Sequence, residues 1–151
     1  MQSTGHTSTQ LMSTQSRQSL VITQAMLAEN SARMDTGLYR IEMIMRREPE
    51  MAAGIGEPVS ANPVVPSKRY WKGVRELCER YGALLIFDEI IEGFGRTGKM
   101  FCFQHEGVHP DVVIVGKALS GGFYPVSAIL ADDPIMLVYK PGDHGSTFGG
   151  N

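Results

Sequence analysis

The amino-acid sequence predicts an α/β fold built on a mostly parallel sheet. Two short apolar runs, 83–87 and 112–115, are rich in leucine, isoleucine and valine, and such runs are typical of strands buried inside a parallel sheet. An amphipathic segment, 67–81, lies just before the first run. The order of strand, helix, strand, loop and strand along the chain is that of α/β proteins, in which a helix connects neighbouring parallel strands.

The composition is that of a globular protein with one core. The 151 residues are 42% apolar and 20% charged, which are ordinary proportions for a soluble domain. A net charge of −2 provides no electrostatic basis for binding nucleic acid or an acidic membrane surface. No apolar run approaches the roughly 18 residues of a membrane span. Cys78 and Cys102 show no CxxC spacing, which favours a reduced, cytoplasmic environment.

The first part of the chain differs from the rest in composition. Residues 1–24 contain fifteen serine, threonine or glutamine residues and a single charge, at Arg17. Because few large apolar side chains offset the entropy of ordering this segment, we expect an atypical or disordered tail over residues 1–35 and a folded domain over 36–151. A mitochondrial presequence is also poor in acids but carries more arginine, so a mitochondrial location is the alternative to a cytoplasmic one.

The elements ahead of the first apolar run follow from periodicity and from helix-ending signals. Residues 20–47 are compatible with a helix and are followed by glutamate and proline. The run 51–55 predicts a short strand, and the proline-containing stretch 58–66 predicts an extended loop. The next helix has a serine N-cap, Ser67, and ends at Gly82.

Strands alternate with turns in the second half of the chain. A glycine-rich loop, 93–98, and an aromatic turn separate the strand 83–87 from the strand 112–115. Residues 126–130 predict a third strand. Two aspartates and a proline then open a short helix over 132–138.

The glycine-rich loop matches two phosphate-binding motifs, each imperfectly. Residues 93–98 fit GxGxxG, but five residues separate them from the strand, and no acid follows about 20 residues later as a dinucleotide site requires. The same loop nearly fits GxxxxGK[ST], but Met100 occupies the position of the magnesium-binding hydroxyl. Both nucleotide-binding interpretations are therefore disfavoured.

A third motif, HExxH at residues 105–109, suggests a zinc site. That chemistry requires both histidines on one face of a continuous helix. Gly107 and Pro110 oppose such a helix, so we expect two histidines in a loop and no metal.

Asp88 and Lys117 are the residues with the clearest chemical potential. Ligands of open α/β sheets lie beyond the carboxyl ends of the strands, and these two residues follow two predicted strands. A lysine amine can form a Schiff base with pyridoxal phosphate, and a carboxylate can pair with the protonated pyridine nitrogen. Ile90 could then lie on the face of the ring. From the residues alone, an aspartate that caps a loop and an exposed lysine are an equally good interpretation.

From Leu38 onward, and most strongly over 57–151, the sequence resembles the class III pyridoxal-phosphate-dependent aminotransferases. The motifs that carry the resemblance occur in family order at residues 57–61, 73–78, 88–90, 93–99, 116–122 and 145–151. The part from Gly116 is most similar to ornithine aminotransferases, and 57–101 to the ω-amino-acid:pyruvate branch. The resemblance implies an incomplete large domain of a fold-type I transferase, an internal piece of a longer family member, in which the glycine-rich loop is a structural turn.

The resemblance also implies roles for individual residues. Lys117 is the Schiff-base lysine and carries the proton between the substrate and the cofactor. Asp88 pairs with the pyridinium nitrogen, and Ile90 packs on the ring. Thr147, with Ser146, binds the phosphate, and in this family it reaches across the interface of a homodimer. The implied substrates are an amino-acid or ω-amine donor and a 2-oxo acid acceptor.

Three departures from the family limit what the resemblance implies. Ile91 stands where many members have a glutamine that contacts the cofactor, and Asn62 stands where ornithine aminotransferases have a glutamate. Family members are also much longer, so we expect little turnover by this chain alone. The alternatives are a non-catalytic remnant that needs a partner to fold, and another enzyme of the same fold, an aminomutase or a decarboxylase.

Overall fold

The computed structural model describes residues 19–21, 31–60 and 64–145 of the chain. Its centre is a five-stranded sheet whose strands lie side by side in sequence order. The strands are β1 (Ser19–Val21), β2 (Ala53–Gly56), β3 (Leu84–Asp88), β4 (Val112–Val115) and β5 (Ala128–Ala131). Strands β1 to β4 are parallel, and β5 runs antiparallel to β4. The predicted α/β fold with a mostly parallel sheet is confirmed.

Two long helices pack against the sheet, and shorter helical segments follow. The helical elements are α1 (Ser31–Arg47), α2 (Lys68–Tyr81), α3 (Phe103–Glu106), a 3₁₀ helix (Lys117–Ser120) and α4 (Asp133–Met136). Gly82 ends α2 with a left-handed φ of 66°, and its N–H points to the carbonyls of Cys78 and Glu79. Glycine adopts this conformation without steric strain, so glycine is favoured at the position that ends a helix. No helix among the described residues is both long and apolar enough to span a bilayer.

The core lies between the two long helices and one face of the sheet. Leu85 and Phe87 are two residues apart on β3 and therefore point to the same face. Trp71 of α2 is fully buried, and its ring meets that of Phe87 edge to face, with centroids 4.7 Å apart. The cluster consists of Ile41, Met45, Met51, Tyr70, Trp71, Val74, Leu77, Cys78, Ala83, Leu85, Phe87 and Val108.

A carboxylate connects α2 to the two central strands. Oδ2 of Asp111, the residue before β4, accepts the backbone N–H of Leu85 at 2.7 Å. The same oxygen accepts a hydrogen bond from Nη1 of Arg75 at 2.6 Å. One side chain therefore joins the start of β4 to β3 and to the helix that covers them.

The structure differs from the predicted elements mainly at the sheet edges. Ser19–Val21 forms β1 by pairing with β2, in a segment for which the composition predicted no order. The helix-compatible segment 20–47 was therefore wrong at its start, and the described helix α1 begins at Ser31. Strands β2 and β5 each begin two residues later and end one residue later than predicted. The pairing of β5 with β4 sets Ala131 opposite Val112. The 3₁₀ helix and α3 were not predicted. Residues 1–18 and 22–30 lie outside the described residues, so the division of the chain at residue 35 stays a prediction.

Candidate active site

The carboxyl ends of three neighbouring parallel strands place chemically useful residues at one edge of the sheet. Gly56 pairs with Phe87, and Asp88 pairs with Ile114. Strand β2 therefore ends one residue before Glu57, β3 ends at Asp88, and β4 ends two residues before Lys117. Ligands of open α/β sheets lie at this edge. The structure thus brings the predicted acid and the predicted amine to the same edge of the sheet.

Asp88 is held by the backbone of the turn that follows it. Its side chain is partly buried, and Oδ1 accepts the N–H of Ile90 at 3.0 Å. A donated N–H stabilises negative charge on a carboxylate. Among the described residues this is the only hydrogen bond of the Asp88 side chain, so Oδ2 is available to a ligand.

Ile90, in the turn after β3, packs against the backbone that follows β4. A Cβ placed on Gly116 would lie 3.4 Å from both Cγ1 and Cγ2 of Ile90, which is contact distance. The isoleucine side chain therefore packs on the backbone immediately before Lys117. The contact of Ile90 with a cofactor ring stays a prediction.

Lys117 opens the 3₁₀ helix in an unusual backbone conformation. Its φ is +38°, a region that residues other than glycine seldom occupy and that is enriched at functional sites. Its carbonyl accepts a hydrogen bond from the hydroxyl of Ser120 at 3.2 Å. The side chain is exposed, and within the described part of the chain Nζ has no hydrogen-bond or ion-pair partner.

The glycine-rich loop is a run of turns, as the family resemblance implied. Gly93 donates its N–H to the carbonyl of Glu89 at 2.9 Å. A Cβ on Gly93 would lie 2.7 Å from that same carbonyl oxygen, so the turn cannot accept a larger residue without shifting. No helix of nucleotide-binding type opens at residues 93–99, where the backbone continues as turns and bends.

The histidines of the HExxH match do not share a helix. Helix α3 ends at Glu106, and Gly107 follows with a left-handed φ of 64°. Nε2 of His105 lies 3.0 Å from the carbonyl oxygen of Thr97. Within the described ranges no group of three acids, histidines or cysteines could hold a metal. His105 lies in helix α3 and not in the predicted loop, because residues 103–106 form a single helical turn.

Two buried glutamates in the turn after β3 were not singled out from the sequence. Both oxygens of Glu89 are used, because Oε2 accepts the N–H of Cys102 at 2.8 Å and Oε1 that of Phe103 at 2.7 Å. Glu92 is 3% exposed, and its Oε2 has no hydrogen-bond partner. Burial raises the pKa of both carboxyls, and that of Glu92 reaches about 7. The available signal was the occurrence of three acids within five residues at the end of a buried strand.

The predicted phosphate ligands, Ser146 and Thr147, lie outside the described residues. Their role stays a prediction.

Comparison with known proteins identifies the family of this chain. The family model described as aminotransferase class-III matches residues 2–151 of the chain. The chain belongs to the class III aminotransferases. The resemblance found in the sequence is thereby confirmed.

Curated class III relatives include ornithine aminotransferases. That of Plasmodium falciparum (isolate 3D7) is 56% identical over 107 residues, which are 70% of this chain and 26% of the relative. The mitochondrial ornithine aminotransferase of Rattus norvegicus is 55% identical over the same length, 70% of this chain and 24% of the relative. The chain therefore spans about a quarter of the length of the curated relatives that it matches.

Solved structures of the same family share the fold. Ornithine δ-aminotransferase of Plasmodium falciparum superposes with a TM-score of 0.70 at 52% identity, over 76% of this chain and 30% of that one. Acetylornithine aminotransferase of Elizabethkingia anophelis gives a TM-score of 0.70 at 47% identity, over 76% and 29%. These likenesses confirm the predicted fold class, a partial large domain of a pyridoxal-phosphate-dependent transferase. The names of these relatives favour transamination over the alternatives, a non-catalytic remnant that needs a partner to fold and another enzyme of the same fold.

Proposed function

We propose that this chain forms the lysine-bearing part of an aminotransferase active site that uses pyridoxal phosphate. The reaction moves an amino group from an amino acid or ω-amine to a 2-oxo acid. The observation that supports the proposal most directly is the placement of Asp88, Ile90 and Lys117 at one edge of the sheet, in a chain of the class III family.

The residues present fit this cofactor. When bound, pyridoxal phosphate supplies an aldehyde and a cationic aromatic ring that accepts electrons from the substrate carbon beside the nitrogen. A cationic ring nitrogen needs a carboxylate, and Asp88 has an oxygen available at the strand end. The ring needs an apolar contact, and Ile90 has its side chain against the backbone of Gly116. The aldehyde needs an amine, and Lys117 carries one that is exposed.

Asp88 and Ile90 orient the ring in this proposal. The N–H that Asp88 accepts fixes the carboxylate relative to the turn, so the charge is in place before a ligand arrives. Such preorganisation is the main way in which a protein stabilises charge that develops during a reaction. Ile90 excludes water from one face of the ring and strengthens the attraction between Asp88 and the ring nitrogen.

Lys117 is the catalytic residue of the proposal. Its amine would hold the cofactor through the aldehyde. Once the substrate's amine had displaced it, Nζ would accept the proton of the substrate's α-carbon and deliver it to the C4′ carbon of the cofactor. The sequence predicts the residue, and its positive φ is a strained backbone conformation of the kind that clusters at functional sites.

We also propose that a second subunit completes the site, with Ser146 and Thr147 as phosphate ligands. Most exposed large apolar side chains of the described residues follow Lys117, a distribution that calls for a covering surface. They are Leu119, Phe123, Tyr124, Val126, Ile129, Leu130, Leu137, Val138 and Tyr139. The rest of a family-length chain and a partner subunit are the covering surfaces of this proposal.

We propose one chemical class of amino donor. Relatives named for ornithine and acetylornithine support a donor with an amine at the end of a carbon chain. We propose no membrane or nucleic-acid partner. We propose a cytoplasmic location, with a mitochondrial one as the alternative that the name of the rat relative supports.

Titration of the full 151-residue chain with pyridoxal phosphate tests the proposal. The cofactor gains an absorption band when its aldehyde is bound to an amine, and we expect this band in the unmodified protein. Lys117→Ala should abolish it. Lys72→Ala, which removes an exposed lysine on α2, should not. A missing band in the unmodified protein, or one that survives Lys117→Ala, would contradict the assignment.

A further inference from the structure

The turn after β3 contains a carboxyl group whose placement the proposed mechanism does not use. Glu92 is 3% exposed, and its Oε2 has no hydrogen-bond partner within the described part of the chain. A charged carboxylate is expensive to bury when one oxygen is left unpaired. The neighbouring Glu89 is buried as well, but backbone N–H groups satisfy both of its oxygens. Hydrogen bonds therefore offset the free-energy cost of burying the charged carboxylate at Glu89, but they offset it only in part at Glu92.

The groups that act electrostatically on Glu92 are acidic. They come from the end of β2, the end of β3 and the turn itself: Glu57, Asp88 and Glu89. Their charges add to the effect of burial, which is the largest cause of the raised pKa. The thiol of Cys102 also lies within range of Glu92, but burial raises the pKa of Cys102 to about 11, so this thiol is neutral.

These carboxyl groups differ in how well each accommodates negative charge. Asp88 is partly exposed and accepts an N–H at 3.0 Å, and Glu89 accepts two N–H groups. Glu92 combines near-complete burial with an unpaired oxygen. When environments separate neighbouring acids in this way, one keeps the proton and another keeps the charge.

We propose that Glu92 is a positioning residue that holds the proton of this carboxyl cluster, so that Asp88 presents its negative charge to the cationic ring. The identity of that ring rests on the proposed function. The proton on Glu92 does not depend on it. Glu92 acts only through Asp88 and touches no substrate. The neutral carboxyl also lowers the electrostatic repulsion that an ionised Glu92 would impose on Asp88.

Carboxyl-carbon NMR of the full chain, labelled on aspartate and glutamate and free of cofactor, tests the inference. Sequential assignment identifies Glu92, Asp88 and the exposed Glu76 of α2 without any variant. We expect the titration midpoint of the Glu92 carboxyl signal to lie at least one pH unit above that of the Glu76 signal. We also expect the Asp88 signal to show a small step at the pH at which Glu92 ionises.

Two variants separate this role from a structural one. Glu92→Gln keeps the shape and mimics the neutral acid, so it should remove the step in the Asp88 signal. Glu76→Gln should leave the step in place. A Glu92 that titrates together with Glu76 would overturn the inference, as would an Asp88 signal without the step. Because no cofactor is present, neither result depends on the reaction of Lys117.

Discussion

Replacement of Trp71 by phenylalanine should destabilise the fold through one buried hydrogen bond. Nε1 of Trp71 donates to the carbonyl of Pro58 at 3.1 Å, and both residues are buried. Phenylalanine has no donor, so the carbonyl loses its partner, which costs about 1–3 kcal/mol. The smaller ring leaves unfilled volume and adds roughly 1 kcal/mol. We expect a loss of about 2–4 kcal/mol in the free energy of unfolding.

The neighbouring Tyr70 offers a matched control. Tyr70 is also buried, but its hydroxyl has no hydrogen-bond partner within the described residues. Tyr70→Phe removes a buried polar group that is unpaired, so the free energy of unfolding should stay the same or rise by up to about 1 kcal/mol. The two substitutions remove polar atoms from adjacent core positions. Trp71→Phe should lower the free energy of unfolding, whereas Tyr70→Phe should leave it unchanged or raise it.

Urea unfolding followed by circular dichroism measures both effects. Fluorescence is unsuitable, because Trp71 is the only tryptophan. Trp71 also connects the two strand ends of the site, since Pro58 follows Glu57 and Phe87 precedes Asp88. Trp71→Phe should therefore weaken cofactor binding more than Tyr70→Phe. Equal stability losses in the two variants would refute the reasoning about the Pro58 hydrogen bond.

Three further predictions concern stability. Burial raises the pKa of Glu92 from 4.5 to about 7, so the wild-type chain loses stability as the pH rises through that interval. In urea unfolding, Glu92→Gln should therefore be more stable than the wild type by about 3 kcal/mol at pH 8 and equally stable at pH 4. Gly93→Ala should cost more than Gly73→Ala in thermal unfolding, because the new Cβ meets a backbone oxygen at 2.7 Å in the first case and a movable leucine side chain at 2.6 Å in the second. Asp111→Ala should destabilise by about 2–4 kcal/mol, because the N–H of Leu85 loses its acceptor and Arg75 keeps only its ion pair with Glu79; an unchanged unfolding midpoint would contradict this.

Local signals were sufficient for the elements next to the site. Helix α2 ends at Gly82 as predicted, because a left-handed glycine ends a helix wherever it occurs. Strand β4 has the predicted bounds, because its four apolar residues are buried among neighbours and flanked by turns. Strand β1 was missed, since its three residues become a strand only by pairing with β2, which follows more than thirty residues later. Pairing between distant segments leaves no local trace in the sequence.

The site was predictable to the extent that its residues follow strands. Asp88 and Lys117 were singled out because each closes an apolar run, and the sheet places both at one edge. The contact of Ile90 with Gly116 depends on how two turns meet, which sequence patterns do not encode. The burial of Glu92 likewise results from the packing of its turn. The positive φ of Lys117 falls on a residue type that gives no signal for it.

The most direct test of the proposed active site is to trap the cofactor on the protein. The full chain is incubated with pyridoxal phosphate, reduced with borohydride and digested, and the modified peptide is identified by mass spectrometry. The proposed role predicts one pyridoxyl group on Lys117 and a large loss of labelling in Asp88→Ala. Labelling spread over exposed lysines such as Lys72 and Lys140, with Lys117 no more reactive than these, would contradict it.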